Sequence, residues 1–289
     1  MPFFPDSNHR KAFDSDGFVV VDNLIDQDTV AGLHDAFEDV FCGRFQTGVR
    51  PDEVNWQQGE SDPKLTRQIC NGWKANRRIA ETVLNENLGR AVAEFAGWSG
   101  VRIMIDNVIW KPPGAKSLGF HQDNAYLSWF TPGEILTCWI ALDDTSASGG
   151  TIEFARGSHR WELGKPTGEF HAPADYRKTV REAAARAGVD AEICHVETKA
   201  GGGSFHHGAT WHGSGPNLAG IPRRSLVLHA MPSEVRYVPS NFEQGIGPIY
   251  SRYKRLGDNS MDENFFPIIW RSDGYRTPQI EDHIRGAES

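Results

Sequence analysis

Residues 119–126 read GFHQDNAY and residues 210–226 read TWHGSGPNLAGIPRRSL. His121 and Asp123 stand two apart in the first stretch. On an extended segment, residues i and i+2 face the same side. One imidazole and one carboxylate can therefore meet one metal ion from a single strand or its end. The second stretch offers His212, 91 residues after His121, as a third donor from a later strand. Two imidazoles and a carboxylate on one face of a metal leave the opposite positions open. That donor set suits non-haem Fe(II) oxygen chemistry. Arg223 follows His212 by 11 residues. Its guanidinium could grip a carboxylate in a two-pronged, charge-assisted pair. An H-x-D pair alone is a weak signal, and its weight comes from what surrounds it. His206 and His207, just before Gly208, are rival third donors. His159 reads as a loop tie, and His171, His195 and His229 as ordinary histidines.

The flanking segments read as strands. VRIMIDNVIW (101–110) alternates, with Val101, Ile103, Ile105, Asn107 and Ile109 on one face, and KPPG ends it. ILTCWIALDD, TIEFA, GGGSFHHG and RRSLVLHAMP supply further strands. Five or so strands, mostly late in the chain, predict an antiparallel sandwich or jelly roll flanked by helices. The start of the chain predicts a short helix, a glycine break, a β-branched strand and a helix capped by Asp26 or Asp28. Residues 44–66 read as a polar surface loop, and Arg78–Ala96 as one helix. Residues 171–200 interrupt the strands, with YRKTVREAAARAGV predicting a helix that Gly188 stops. An insertion of this length is a candidate active-site lid. ENFFPIIWRSDGYRT, near the C-terminus, reads as packing back on the chain's own core.

Composition sets outer bounds. The 289 residues contain 39% hydrophobic and 24% charged residues, ordinary for a globular chain. With no Pro/Gly-rich linker, residues 1–289 read as a single domain. No run of 18 apolar residues and no signal-like N-terminus are present, so no membrane partner and a cytoplasmic location are expected. A net charge of −8 argues against nucleic acid as a partner. The four cysteines form no C-x-x-C pair and read as reduced thiols. Oligomeric state is not encoded legibly.

Four stretches together, in order, carry a family resemblance: DGFVVVDNL, KPPG…FHQDNAY, WIALDDTSASGGTIEFARGSH and WHGSGPN…PRRSL. The chain resembles the phytanoyl-CoA dioxygenase family of Fe(II)/2-oxoglutarate oxygenases. The resemblance implies a mainly β protein with flanking helices, built on a double-stranded β-helix (jelly roll, cupin-like). It implies Fe(II) held by His121, Asp123 and His212, with 2-oxoglutarate and dioxygen as co-substrates. It implies that Arg223 pairs with the distal carboxylate of 2-oxoglutarate, with Trp139, Ser214, Gln122 and Asn107 as further co-substrate contacts. Gln68 and Lys74 lie near another such position. The implied activity is oxidation, chiefly hydroxylation, of a small-molecule metabolite or natural-product intermediate, giving succinate and CO2. The alternatives are a cupin-like metal enzyme that does not use 2-oxoglutarate, and a non-catalytic metal-binding barrel. Related halogenases replace the carboxylate with a small residue, so Asp123 favours oxygenation. Tyr126, Trp129 and Phe130 are candidate substrate-wall residues. Lys116 and Arg102 are candidate anion contacts that read better as loop or surface charges.

Overall fold

The alternating run before KPPG becomes the longest strand, Gly100–Lys111, in the computed structural model, which describes residues 3–166, 170–239 and 252–286. It pairs antiparallel with Arg223–Pro232, from Arg223 opposite Lys111 to Pro232 opposite Val101. That strand pairs in turn with Leu136–Ala141, which pairs with Gly203–His207. Phe18–Val21 closes this sheet on one side. Arg67–Cys70 and Glu53–Val54 extend it on the other. The facing sheet holds Leu118–His121, His212–Ser214, Ile152–Ala155 and Ile193–His195, in that spatial order. Along the chain the strands pass from one sheet to the other and back. This is the double-stranded β-helix expected from the sequence.

The central strands of the larger sheet are covered on both faces, so even their polar side chains, such as Thr137, Ser225 and Arg223, are buried. Leu226, Leu228, Cys138 and Ile140 pack outward with Leu33, Phe37 and Val40 of the helix Gln27–Phe41. Val227, Trp139, Phe154 and Phe18 pack inward. Each of these buried side chains contributes about 1.5–3 kcal/mol of apolar burial. Even positions of the strand Arg223–Pro232 thus serve the helix layer, and odd ones serve the barrel interior.

Local signals behave as their chemistry requires. Gly17 ends the first helix in the left-handed region at φ 81°, and Asp26, not Asp28, caps the second by accepting from Thr29 N. The helix expected over Arg78–Ala96 is two, Arg77–Val83 and Glu86–Ala96. Asn85 causes the break: its side chain accepts from the amides of Asn87 and Leu88 and starts a new helix. Residues 44–66 are mostly irregular, yet Glu53–Val54 joins the sheet and Trp56 is buried under the Arg67 guanidinium, 3.9 Å from its ring centroid. The late segment does fold back: Ile268–Arg271 pairs with Gly100–Lys111, and Ile269 is fully buried.

The insertion begins and ends earlier than the sequence suggested. It runs over 156–192, because Ile193–His195 is already a barrel strand. Its helix, Lys178–Ala187, stops at Gly188 in the left-handed region at φ 71°. Val180 and Ala183 pack that helix against Phe120 and Trp211. The backbone at Phe170–His171 runs along the edge of Leu118–His121.

Candidate metal and co-substrate site

His121 ends its strand and Asp123 opens the short 3-10 turn Asp123–Tyr126, so the i, i+2 pair straddles a strand end. His212 lies directly across the ladder from His121. The next residue is glycine for a steric reason: a Cβ on Gly213 would lie 2.6 Å from the Phe120 ring. Among the described residues, His121, Asp123 and His212 form the one cluster with metal-ligand geometry, each offering an atom within 4.8 Å of the others. His121 Nδ1 bonds Gly119 O at 3.0 Å, and His212 Nδ1 bonds Thr210 O at 3.0 Å. A carbonyl only accepts, so each Nδ1 carries the proton and each Nε2 keeps its lone pair for a metal.

The Asp123 carboxylate is divided between two tasks. Its Oδ1 faces His121 Nε2 at 3.4 Å and His212 Nε2 at 3.5 Å. Its Oδ2 accepts from Thr137 Oγ1 at 2.9 Å and lies 3.5 Å from both His206 Nε2 and His229 Nδ1. One oxygen is thus turned to the ligand cluster and the other is held by the protein. The hydroxyl of Thr137 also meets His229 Nδ1 at 2.8 Å, and His229 Nε2 meets Asn107 Nδ2 at 3.0 Å. The amide oxygen of Asn107 accepts from Gln68 Nε2 at 3.0 Å. The donors and acceptors close in one direction: Asn107 donates to His229, His229 to Thr137, and Thr137 to Asp123.

Electrostatics prepare the cluster for a cation. Burial pushes the Asp123 carboxyl up, but the imidazoles around it, His212 first and then His121, His206 and His229, hold it well below the usual carboxylate range. Burial, with His121 next, holds His212 well below the usual imidazole range. A carboxylate and a neutral imidazole are the forms that bind metal.

A cavity of about 700 Å³ opens onto this cluster. Arg223, Ser214 and Trp139 line one end, with the Arg223 guanidinium 5.8 Å from the Trp139 ring centroid. Arg223 is buried. Its Nη atoms donate to Ser225 Oγ at 2.9 Å and to Gly150 O at 3.0 Å, while its Nε is buried without a partner. Gly150 reaches that point because its φ is +67° and a Cβ there would lie 2.7 Å from Gly215 O. A buried guanidinium with an unpartnered Nε, on a residue that lines the same cavity as the metal-type cluster, fits a dicarboxylate that spans the two.

Residues 13–225 match the model of the phytanoyl-CoA dioxygenase family. The chain belongs to that family. It is 27% identical over 225 residues to a probable alpha-ketoglutarate-dependent hypophosphite dioxygenase of Stutzerimonas stutzeri, covering 73% of each chain. It is 24% identical to an ectoine dioxygenase of Streptomyces coelicolor, covering 75% of each. In fold it matches the epimerase SnoN, solved with Fe3+, alpha ketoglutarate and nogalamycin RO, with a TM-score of 0.68 at 21% identity. That match covers 91% of this chain and 97% of the other. This member of the phytanoyl-CoA dioxygenase family is a non-haem Fe(II)- and 2-oxoglutarate-dependent oxygenase, with dioxygen as oxidant.

Several expected contacts of this family member move. Gln122 does not line the cavity. It alternates away from His121 and Asp123, donating to Ala209 O at 2.7 Å and accepting from Gly164 N at 2.6 Å. Asn107 lines the cavity, but its amide is engaged by His229 and Gln68. Lys74 lies outside it, paired with Asp52 at 2.8 Å. Lys116 is exposed, and Arg102 is buried, donating to Met261 O. Tyr126 and Trp129 line the cavity, whereas Phe130 does not. Of the rival donors, His207 turns toward His159, and His206 stands behind Asp123. Arg224 points away from Arg223 and pairs with Asp143 at 2.7 Å. His229 is not ordinary. It shares the odd-numbered face of Arg223, so the period-two rule could have found it from sequence. No such signal marked Thr137. Among the described residues, no helix is long and apolar enough to cross a membrane.

Proposed function

We propose that this enzyme hydroxylates a small, largely apolar molecule. His121, Asp123 Oδ1 and His212 would hold Fe(II), and Arg223 and Ser214 the distal carboxylate of 2-oxoglutarate. The observation that carries this reading is that the buried Arg223, whose guanidinium is paired with no carboxylate among the described residues and has an unpartnered Nε, lines the same cavity as the His–Asp–His cluster. When bound, iron, 2-oxoglutarate and dioxygen supply the oxidising power: substrate R–H gives R–OH, and 2-oxoglutarate gives succinate and CO2. The protein's own part is to orient the groups and exclude water. Thr137 and His229 keep Asp123 Oδ2 engaged, which supports one-point ligation and leaves positions open for the co-substrates. Trp139 walls the co-substrate end.

The substrate end is lined by Met104, Ile105, Leu127, Trp129, Ile135 and Phe170, with Gln68 and Thr66 for polar contact. Among the described lining residues the one permanent cation is Arg223, at the co-substrate end. That supports an uncharged or weakly polar substrate over a phosphorylated one such as a CoA thioester. The part of the insertion at Phe170–His171 acts as a lid over this end: Phe170 stands 4.7 Å from the His121 ring, edge to face. The presence of Asp123 supports oxygenation over halogenation, because no position is vacated for chloride. A cytoplasmic location is part of this reading.

The test is anaerobic. Fe(II) with 2-oxoglutarate should give a weak visible charge-transfer band, absent without either. Arg223→Met should weaken 2-oxoglutarate by roughly 10- to 100-fold, the loss expected for a hydrogen-bonded charge. Unchanged affinity in that variant would sink the anchoring role. A panel of uncharged small molecules should then include one that stimulates succinate release.

A further inference from the structure

The direction of the hydrogen bonds behind Asp123 fixes the polarity of the wall at the substrate end. Asp123 accepts from Thr137, Thr137 from His229 Nδ1, and His229 Nε2 from Asn107 Nδ2. The Asn107 amide oxygen is left to accept, and it does so from Gln68 Nε2 at 3.0 Å and Cys70 Sγ at 3.2 Å. An amide donates only through its nitrogen. With Nε2 spent on Asn107, the half-buried Gln68 has its carbonyl oxygen left for the cavity that it lines. Glu53 lines the same cavity and stands exposed at its mouth. Among the described residues it forms no ion pair, and its side chain meets only the weak donor Cys70 Sγ, at 3.8 Å. The placement of Glu53 is built into the fold. Glu53, Cys70 and Asn107 stand side by side in one row across the sheet, which continues to Val227 and Trp139. Asp52, one residue earlier, turns the other way, with its side chain 6% exposed. It accepts from Lys74 Nζ at 2.8 Å, Asn71 Nδ2 at 2.6 Å, Arg252 Nη1 at 3.3 Å and the Tyr253 hydroxyl. These donors pin the start of the strand Glu53–Val54, and with it the position of Glu53. Neighbouring strands lie about 4.8 Å apart, so Glu53 is roughly 14 Å from the strand that carries His229.

We propose that Glu53, with Gln68 Oε1 beside it, determines substrate specificity, and that the substrate is an apolar molecule bearing hydroxyl groups at the end remote from the oxidised carbon. A carboxylate and an amide oxygen only accept. A ligand that covers both must therefore bring donors. One that brings only acceptors, or a second negative charge, leaves them desolvated and unpaired, which is costly. Met104, Ile105, Leu127 and Ile135 take the apolar body between this wall and the metal cluster. The proposal rests on the reading of the His–Asp–His cluster as the oxidising end. It adds which end of the substrate is polar, and that this end donates.

The experiment is anaerobic calorimetry on the Fe(II)- and 2-oxoglutarate-loaded protein with matched probes. These are octanol, its methyl ether, which accepts but cannot donate, and octanoate. The wild type should bind octanol at least roughly tenfold more tightly than the ether, and octanoate most weakly. Glu53→Leu should weaken octanol by about tenfold and leave the ether within about twofold. Glu53→Gln, which keeps the size and removes the charge, should improve octanoate. Ether bound as tightly as octanol, octanoate bound best, no binding of octanol, or an octanol preference unchanged in Glu53→Leu would each overturn the proposal. The Fe(II)–2-oxoglutarate band is read in the same samples. Octanol preference without the band would sink the iron reading and leave the role of Glu53 standing; the band without the preference would do the reverse.

Discussion

Asp106 and Asp123 are both buried carboxylates of the barrel, and their surroundings drive them in opposite directions. Asp106, on the outward face of Gly100–Lys111, accepts from the backbone amides of Gly72 and Trp73, each at 3.0 Å. Burial outweighs those bonds, and its carboxyl is pushed up to about 7. Asp123 meets the same burial but is ringed by His121, His206, His212 and His229, and stays well below the usual range. Burial alone therefore does not mark a functional carboxylate. What marks Asp123 is that one oxygen is engaged by the protein while the other is aimed at two imidazole nitrogens that keep their lone pairs. Asp106 spends both oxygens on a single turn, Gly72–Lys74. One carboxylate serves the fold, and the other is kept for a ligand.

The sharpest way to break this contrast is to remove the charge at each site. Asp123→Asn and His212→Ala should each abolish the Fe(II)–2-oxoglutarate band and substrate oxidation while circular dichroism stays native. His206→Ala should keep the band, and its loss there would mean that His206 is a metal ligand. The second effect is on stability. Asp106 has a raised folded value, so its favourable contribution is fully present below about pH 4 and is lost as pH rises through about 7. Denaturant unfolding of wild type minus Asp106→Asn should therefore drift by on the order of 2–4 kcal/mol between pH 4 and 8. A pH-independent difference would contradict the assignment. The third effect is smaller. Thr137→Val removes the donor to Asp123 Oδ2 and should weaken Fe(II) binding by about tenfold, the lower end for outer-shell partners of a metal. Affinity unaltered by Thr137→Val would show that Asp123 needs no hold on its second oxygen.

The legible part of the site was the part written locally. Residue type and spacing exposed His121, Asp123, His212 and Arg223, and strand alternation exposed the jelly roll. Parity, applied more strictly, would have removed Gln122 from the cavity and admitted His229. Thr137 carried no local mark, since a threonine on an apolar strand reads as ordinary β-branched core. Asn85 was legible as a cap but was hidden inside a periodic helical pattern. The insertion was placed too late because the strand Ile193–His195 is only three residues long.

By itself the sequence determined the donor set, the family and the barrel, because each depends on residue identity and on periodicities of two or 3.6 residues. Only the tertiary structure decided which histidine stands beside which oxygen of Asp123, and that Lys111 lies across from Arg223. Those neighbours come from antiparallel register between strands about a hundred residues apart. Register is set by the packing of both faces of the sheet at once.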